Sequence, residues 1–223
     1  MARTVDPARH AARRRHIQDC AAALFATHGY ERTTTAQICR AAGISPGNLY
    51  HYFASKKAIF LAVLTGDEDD TSAMLEQQLA ADAPVEAVLE FVTHLAAPAA
   101  AHPAVPQLVL EAMLQAHRDP EIADVLGQAD TAERAGLTAL LQRALDAGAI
   151  DTELDPAETA AWLSTLVGAV FLDLALQPGS DPALRLSQLR RTVRAYLGGG
   201  PRRRPRPGSR ARPAAAPWNN RGS

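Results

Sequence analysis

The chain has 223 residues, 47% hydrophobic and 21% charged, enough for one or two globular domains with a real core, although aromatics are sparse at 5%. Its formal net charge of −1 hides a partition: residues 1–60 carry nine Arg/Lys against three Asp/Glu, residues 61–197 seven against twenty-one, and residues 198–223 seven and no acids. No stretch approaches about 18 uninterrupted apolar residues, the N-terminus has no apolar signal core, and the two cysteines lie far from any His/Asp cluster, so no membrane span, secretion signal, disulfide framework or zinc site is expected and a cytoplasmic setting fits.

Residues 1–9 read as a polar arm. Arg9, Arg13, Arg14 and Arg15 lie in or just before the first helix and can reach phosphate or the minor groove, or simply face solvent. From about Ala11 the pattern is helical, with Ile17, Cys20, Ala21, Leu24 and Phe25 forming an apolar stripe and His28-Gly29 ending it. Thr34 and Gln37 form a capping box that opens a short helix with Ile38, Cys39 and Ala42 inward. Gly43 stops that helix in the left-handed conformation. Ser45-Pro46 then caps and starts another, running to about Tyr52 with Leu49 and Phe53 buried. Gly47, Asn48, Tyr50 and His51 remain on its outer side. Ser55 caps a fourth helix, whose first turn holds Lys56 and Lys57, the chain's two lysines. Cations at a helix N-terminus are disfavoured, which points to an external anion such as a DNA phosphate. Two helices joined by a tight glycine turn make a helix-turn-helix, whose second helix enters the major groove.

The ordered run Phe25, His28-Gly29-Tyr30, Thr33-Thr34, Ile38, Ala41-Ala42-Gly43-Ile44-Ser45, Gly47-Asn48-Leu49-Tyr50-His51-Tyr52-Phe53 and Ser55-Lys56 resembles the DNA-binding domain of the tetracycline-repressor (TetR) family, over about a quarter of the chain. The resemblance implies a dimeric, ligand-responsive transcriptional regulator, usually a repressor. Thr35, Cys39 and Lys57 depart from the family pattern, and none of the three removes a DNA-facing group.

Beyond residue 64 the chain reads as helices separated by prolines. The acidic run Asp67-Glu68-Asp69-Asp70 reads as a solvated face, since consecutive helical positions point in different directions and make a poor metal site. A helix from Pro84 to about Ala97 carries Val85, Val88, Leu89, Val92 and Leu95, and the Ala/Pro-rich segment 98–106 breaks it. Further helices run from about Pro106 to His117, from Asp119-Pro120 to Gly148, from Asp155-Pro156 to about Gln177, and from Asp181-Pro182 to Leu197. The helix opened by Asp155 is apolar almost all round, so another subunit is expected to cover part of it, and Gly168 allows close approach. Leu110-Glu111-Ala112, His117-Arg118-Asp119-Pro120 and Gly148 loosely resemble the C-terminal domain of the choline-responsive regulator subgroup, without implying choline as ligand.

The expected architecture is all-α: a flexible arm (1–9), a three-helix helix-turn-helix DNA-binding domain (10–64), a helical ligand-binding and dimerisation domain (65–197), and a basic Pro/Arg-rich tail (198–223) that adds non-specific DNA affinity or solubility. Asn48 is expected to read a base edge, with Gly47 allowing close approach. Tyr50 and His51 hold phosphates, and Thr34, Ser45 and Lys56 position the head. The resemblance implies a homodimer through helices at about 156–177 and 182–197. It also implies a small molecule that enters the body and changes the spacing of the heads, with Phe91, His94, Met113, His117 and Trp162 as candidate pocket residues. A mostly apolar pocket favours a hydrophobic or cationic-amphipathic ligand. No nucleophile–base arrangement, metal cluster or Gly-rich phosphate loop points to an enzyme, a metal or another cofactor. The acidic body argues against an architectural DNA binder. Cys20 and Cys39 read as small buried hydrophobes, a redox switch being the alternative.

Overall fold

The computed structural model describes residues 7–65, 68–177 and 179–198. Within them lie ten α-helices and no strand: α1 (Pro7–His28), α2 (Thr35–Ala42), α3 (Pro46–Tyr52), α4 (Lys56–Leu64), α5 (Glu68–Ala80), α6 (Pro84–Ala101), α7 (Ala104–Ala116), α8 (Pro120–Asp146), α9 (Pro156–Leu176) and α10 (Pro182–Gly198). The all-α architecture is as expected. Most of the N-terminal arm, Gly66, Asp67 and all but the first residue of the basic tail lie outside the described residues. Helix α1 begins four residues before the expected Ala11, at Pro7, a residue suited to a first helical turn.

Local chemistry sets the helix starts. The Thr34 hydroxyl accepts the Gln37 N–H at 3.3 Å, and Gln37 Oε1 accepts the Thr34 N–H at 2.7 Å, completing the capping box. Ser45, Ser55, Asp119 and Asp155 cap α3, α4, α8 and α9 through the amides of Asn48, Ala58, Glu121 and Glu158. Gly43 closes α2 at φ +63°, a conformation that would strain any residue with a Cβ.

The break expected in segment 98–106 is there, but α6 passes through Pro98 and ends four residues later than expected. The helix continues to Ala101, and the break falls at His102-Pro103. Pro98 is exposed, while Leu95, Ala96 and Ala99 around it are buried. Alanine-rich sequence and burial together outweigh the roughly 3 kcal/mol that an interior proline costs. Pro106 sits in the first turn of α7, where its N–H has no helical partner to lose.

The side chains pack into two cores. One joins α6, α8, α9 and α10 around Leu89, Phe91, Leu137, Leu141, Leu163 and Val193. The other is built from α1 to α4 around Ile17, Phe25, Ile38, Leu49, Ile59 and Phe60, and is completed by Leu108 and Ala112 of α7 and Ile122 of α8. Packing therefore does not divide at residue 64. Gly136 of α8 lies under Leu75 of α5, where an added Cβ would come within 2.9 Å of a Leu75 methyl, so α5 can settle close against α8. Helix α9 has the length and mean hydropathy (1.7) to cross a membrane, yet it packs on α6, α7, α8 and α10, with a third of that window buried. Core packing accounts for one side of its apolar surface; Trp162, Leu172 and Leu176 remain exposed on another.

Candidate nucleic-acid interface and ligand cleft

Helix α3 is held from below and bare above. Leu49 and Phe53 are buried beneath it, and the Arg14 guanidinium lies over the Phe53 ring at 4.7 Å. Gly47, Asn48, Tyr50 and His51 are all exposed, with Tyr50 at 54%. A half-exposed tyrosine on a seven-residue helix has no packing reason to be there, which leaves its ring and hydroxyl free for an external partner. His10 of α1 stacks on Tyr52 at 4.7 Å and meets His51 edge-on at 6.0 Å, so the start of α1 braces the end of α3. The sequence reading missed this contact, because no local pattern links residues 10 and 52. Thr34 and Ser45 are occupied as caps, although both remain at the exposed edge of the motif.

The two lysines of α4 do not need an external anion to offset the helix dipole, as the sequence suggested. Lys56 Nζ donates to the Tyr30 carbonyl at 2.8 Å and the Glu31 carbonyl at 3.4 Å, and sits 4.2 Å above the Tyr30 ring. Lys57 Nζ pairs with Glu121 at 2.5 Å and Asp119 at 3.2 Å. Those carboxylates stand at the N-terminus of α8, so the pair links the head directly to a body helix. A second link lies beside it. Glu111 Oε1 of α7 accepts the Tyr30 N–H at 2.9 Å and the side-chain amide of Gln115, which is 4% exposed, also at 2.9 Å.

The Lys57 link should depend on pH. Partial desolvation pushes the Asp119 carboxyl up, but hydrogen bonds from Lys57 and the Glu121 and Ile122 amides outweigh it and hold the group below its ordinary 3.8. Hydrogen bonds to Glu121 and then Asp119 hold the Lys57 ammonium above its ordinary 10.5. A depressed carboxyl stabilises the fold above its unfolded value and loses that contribution as pH falls through the folded one. A raised ammonium does so below its unfolded value and loses the contribution as pH rises through the folded one. Lys57→Met is therefore expected to lower the thermal midpoint slightly at neutral pH, with the difference from the unsubstituted protein shrinking as pH falls into the carboxylate range. Melts across pH would test this; a difference independent of pH would mean that the stem, not the charge, stabilises the junction.

Two adjoining clefts of about 330 and 380 Å³ lie between α5, α6 and α8 and share Thr71, Ala129 and Glu133. Of the expected pocket residues, His94 lines the first and Phe91 the second. Met113, His117 and Trp162 do not line either: all three are exposed, on the outer sides of α7 and α9. Residue type gave no information on which face of a helix each occupies. Thr71 Oγ1 lies 3.5 Å and Asp70 Oδ2 3.8 Å from His94 Nε2. Burial pushes the Glu133 carboxyl up. The sequence reading missed Glu133 because an acid on a long helix looks like a solvated one.

Cys39 is buried. Cys20 is half-buried, with Sγ 3.9 Å from His16 Nε2, and desolvation, with help from Asp19, pushes its thiol up, the opposite of what a reactive cysteine needs. Among the described residues, no group of three His, Cys, Asp or Glu side chains is placed to hold a metal ion.

Comparison with known proteins agrees with this geometry. The family model for bacterial regulatory proteins of the tetR family matches residues 17–63, and that for the C-terminal part of BetI-type transcriptional repressors matches residues 84–199. The HTH-type transcriptional regulator UidR of Escherichia coli K12 is 26% identical over 186 residues, covering 83% of this chain and 91% of UidR. The structure of Salmonella enterica GusR superposes with a TM-score of 0.68 at 25% identity, over 87% of this chain and 98% of GusR. The fold is also that of Bacillus subtilis FadR in complex with stearoyl-CoA, at a TM-score of 0.70 and 16% identity, over 82% of this chain and 98% of FadR. The chain belongs to the TetR family and is a DNA-binding transcriptional regulator.

Proposed function

We propose that this regulator represses transcription as a homodimer on a pseudo-palindromic operator, and that a small molecule in the α5–α6–α8 cleft releases it. The observation that carries the DNA reading is the bare outer face of α3. Asn48 reads a base edge there, Gly47 lets the backbone approach, Tyr50 and His51 hold phosphates, and Thr34, Ser45 and Lys56 set the head on the backbone. Lys56 keeps its carbonyl partners in this arrangement, since an ammonium has three donors and two are used. Such a regulator works beside the chromosome, in the cytoplasm. Its body is the 65–197 segment and its head 10–64, with the 198–223 tail free to add non-specific affinity.

The dimer reading rests on α9 and α10. Trp162, Leu172, Leu176, Leu184 and Tyr196 are exposed on these two helices, and a Cβ added at Gly168 would meet nothing within 4 Å in the single chain. Pairing α9 and α10 with those of a second copy covers this surface and sets two heads about one DNA turn, roughly 34–36 Å, apart. The release reading rests on α8, a 27-residue helix that lines the cleft with Glu133 and grips Lys57 with Asp119 and Glu121. A ligand that binds the two states of this helix unequally shifts the heads.

Footprinting on the DNA flanking the gene tests the first part. A protected palindrome is expected, and Tyr50→Ala is expected to weaken protection by roughly ten-fold or more, at about 1–3 kcal/mol per good contact, with an unchanged melt. Uniform, salt-sensitive coverage with no palindrome would remove the specific-operator reading.

A further inference from the structure

We infer that the effector is a cation with an apolar body, bound with its charged end against Glu133; the inference rests on the reading of the α5–α6–α8 cleft as the effector site. The two adjoining clefts form one elongated space, polar at the middle where Thr71 and Glu133 are shared. Among the described residues their walls carry the carboxylates of Asp70 and Glu133 and no lysine or arginine. The arginines of α8 are engaged elsewhere: Arg134 pairs with Asp130, and Arg143 donates to the carbonyls of Gln78 and Ala81. Asp70 has His94 beside it, whereas Glu133 has neither an ion pair nor a hydrogen bond among the described residues. A carboxylate that is partly withdrawn from water without a counter-charge is costly, and an incoming cation removes that cost.

Two further features favour a cation over an anion or a neutral ligand. Pro98 lines the same cleft and has no N–H to give, so the His94 carbonyl, four residues earlier, lacks its usual helical donor on that wall. The remaining polar groups near Glu133, the Thr71 and Ser72 hydroxyls and the Gln128 amide, can each present an oxygen acceptor. An anionic head would meet two carboxylates and, among the described residues, no lysine or arginine. Leu64, Leu95, Val125 and Leu126 at one end and Leu75 and Phe91 at the other supply the apolar surface for the ligand body. Binding would draw Glu133 toward the cleft, on the helix whose first turn holds Lys57, so the charge contact and the release step share one element.

The test is isothermal titration calorimetry of the full chain at neutral pH with three probes that share one tail: decylammonium, decanol and decanoate. Decylammonium is expected to bind one per chain, at least ten-fold more tightly than decanoate, with decanol between. Glu133→Gln is expected to weaken decylammonium about ten-fold and leave decanol unchanged, and Ala129→Trp, at an exposed position shared by both clefts, to remove all binding. Decanoate binding as well as decylammonium, no decylammonium binding, or no effect of Glu133→Gln overturns the cationic assignment. Loss of all probes in Ala129→Trp without a charge preference overturns the cation alone. Undiminished binding in Ala129→Trp overturns the cleft itself. Thermal melts of both variants establish that each is folded.

Discussion

Phe60→Ala is expected to lower the thermal midpoint by roughly 6–20 °C. Phe60 is fully buried, edge-on to Phe25 at 5.0 Å and against Tyr30 at 4.8 Å, in the core that α1 and α4 share with α7. Removing a buried phenylalanine ring costs about 3–5 kcal/mol, because the lost transfer energy is joined by the cavity left behind. For a chain of this length, each kcal/mol moves the midpoint by about 2–4 °C. The void would open between Phe25 and the Tyr30 segment whose amide and carbonyl are held by Glu111 and Lys56. The loss should therefore reach operator binding as well as stability. A single transition displaced as a whole supports one cooperative unit; a low-temperature phase with the body intact would show that the head melts by itself.

Leu172→Glu is expected to act on assembly and leave the single chain folded. Leu172 is 44% exposed on α9, so the substitution removes little intramolecular packing. In the proposed four-helix interface it would place a carboxylate beside the exposed apolar side chains of Trp162, Leu176 and Tyr196. Sedimentation or light scattering should show a monomer. Operator affinity should fall by about 10²–10⁴-fold, since two linked heads gain that much from holding two half-sites at once. A Leu172→Glu protein that stays dimeric would move the interface off this face of α9.

The sequence disclosed the parts of the fold that are decided within a few residues. Thr34 with Gln37, Ser45 with Pro46, and Ser55 are local devices, and each helix start they announce is where the structure has it. Pro98 misled because a proline rule is local too, whereas its tolerance depends on Ala96 and Ala99 being buried by other helices. The same division runs through the site. Asn48, Tyr50 and His51 were legible as the outer face of a short helix with Leu49 and Phe53 beneath. The link from Tyr30 to Glu111 spans 81 positions and that from Lys57 to Asp119 spans 62, and nothing in the intervening sequence encodes either. Phe91 and His94, named as pocket candidates outside the apolar stripe of α6, do line the clefts, but Glu133 meets them there from α8, a juxtaposition that no local pattern announces.

The insertion of Leu108, Ala112 and Ile122 into the head's core bears on how such regulators can be recombined. A chimaera cut at residue 64 would carry a head missing three of its buried side chains and both of its anchors, Glu111 and the Asp119–Glu121 pair. Its new body would expose whatever it had evolved to place there. The natural unit of exchange is thus discontinuous: the first four helices together with α7 and the first turn of α8. On the proposed reading, drift in operator preference on the outer face of α3 is free of this constraint, while replacement of the proposed effector-binding half is not. DNA specificity and effector specificity in this architecture should therefore diverge at different rates.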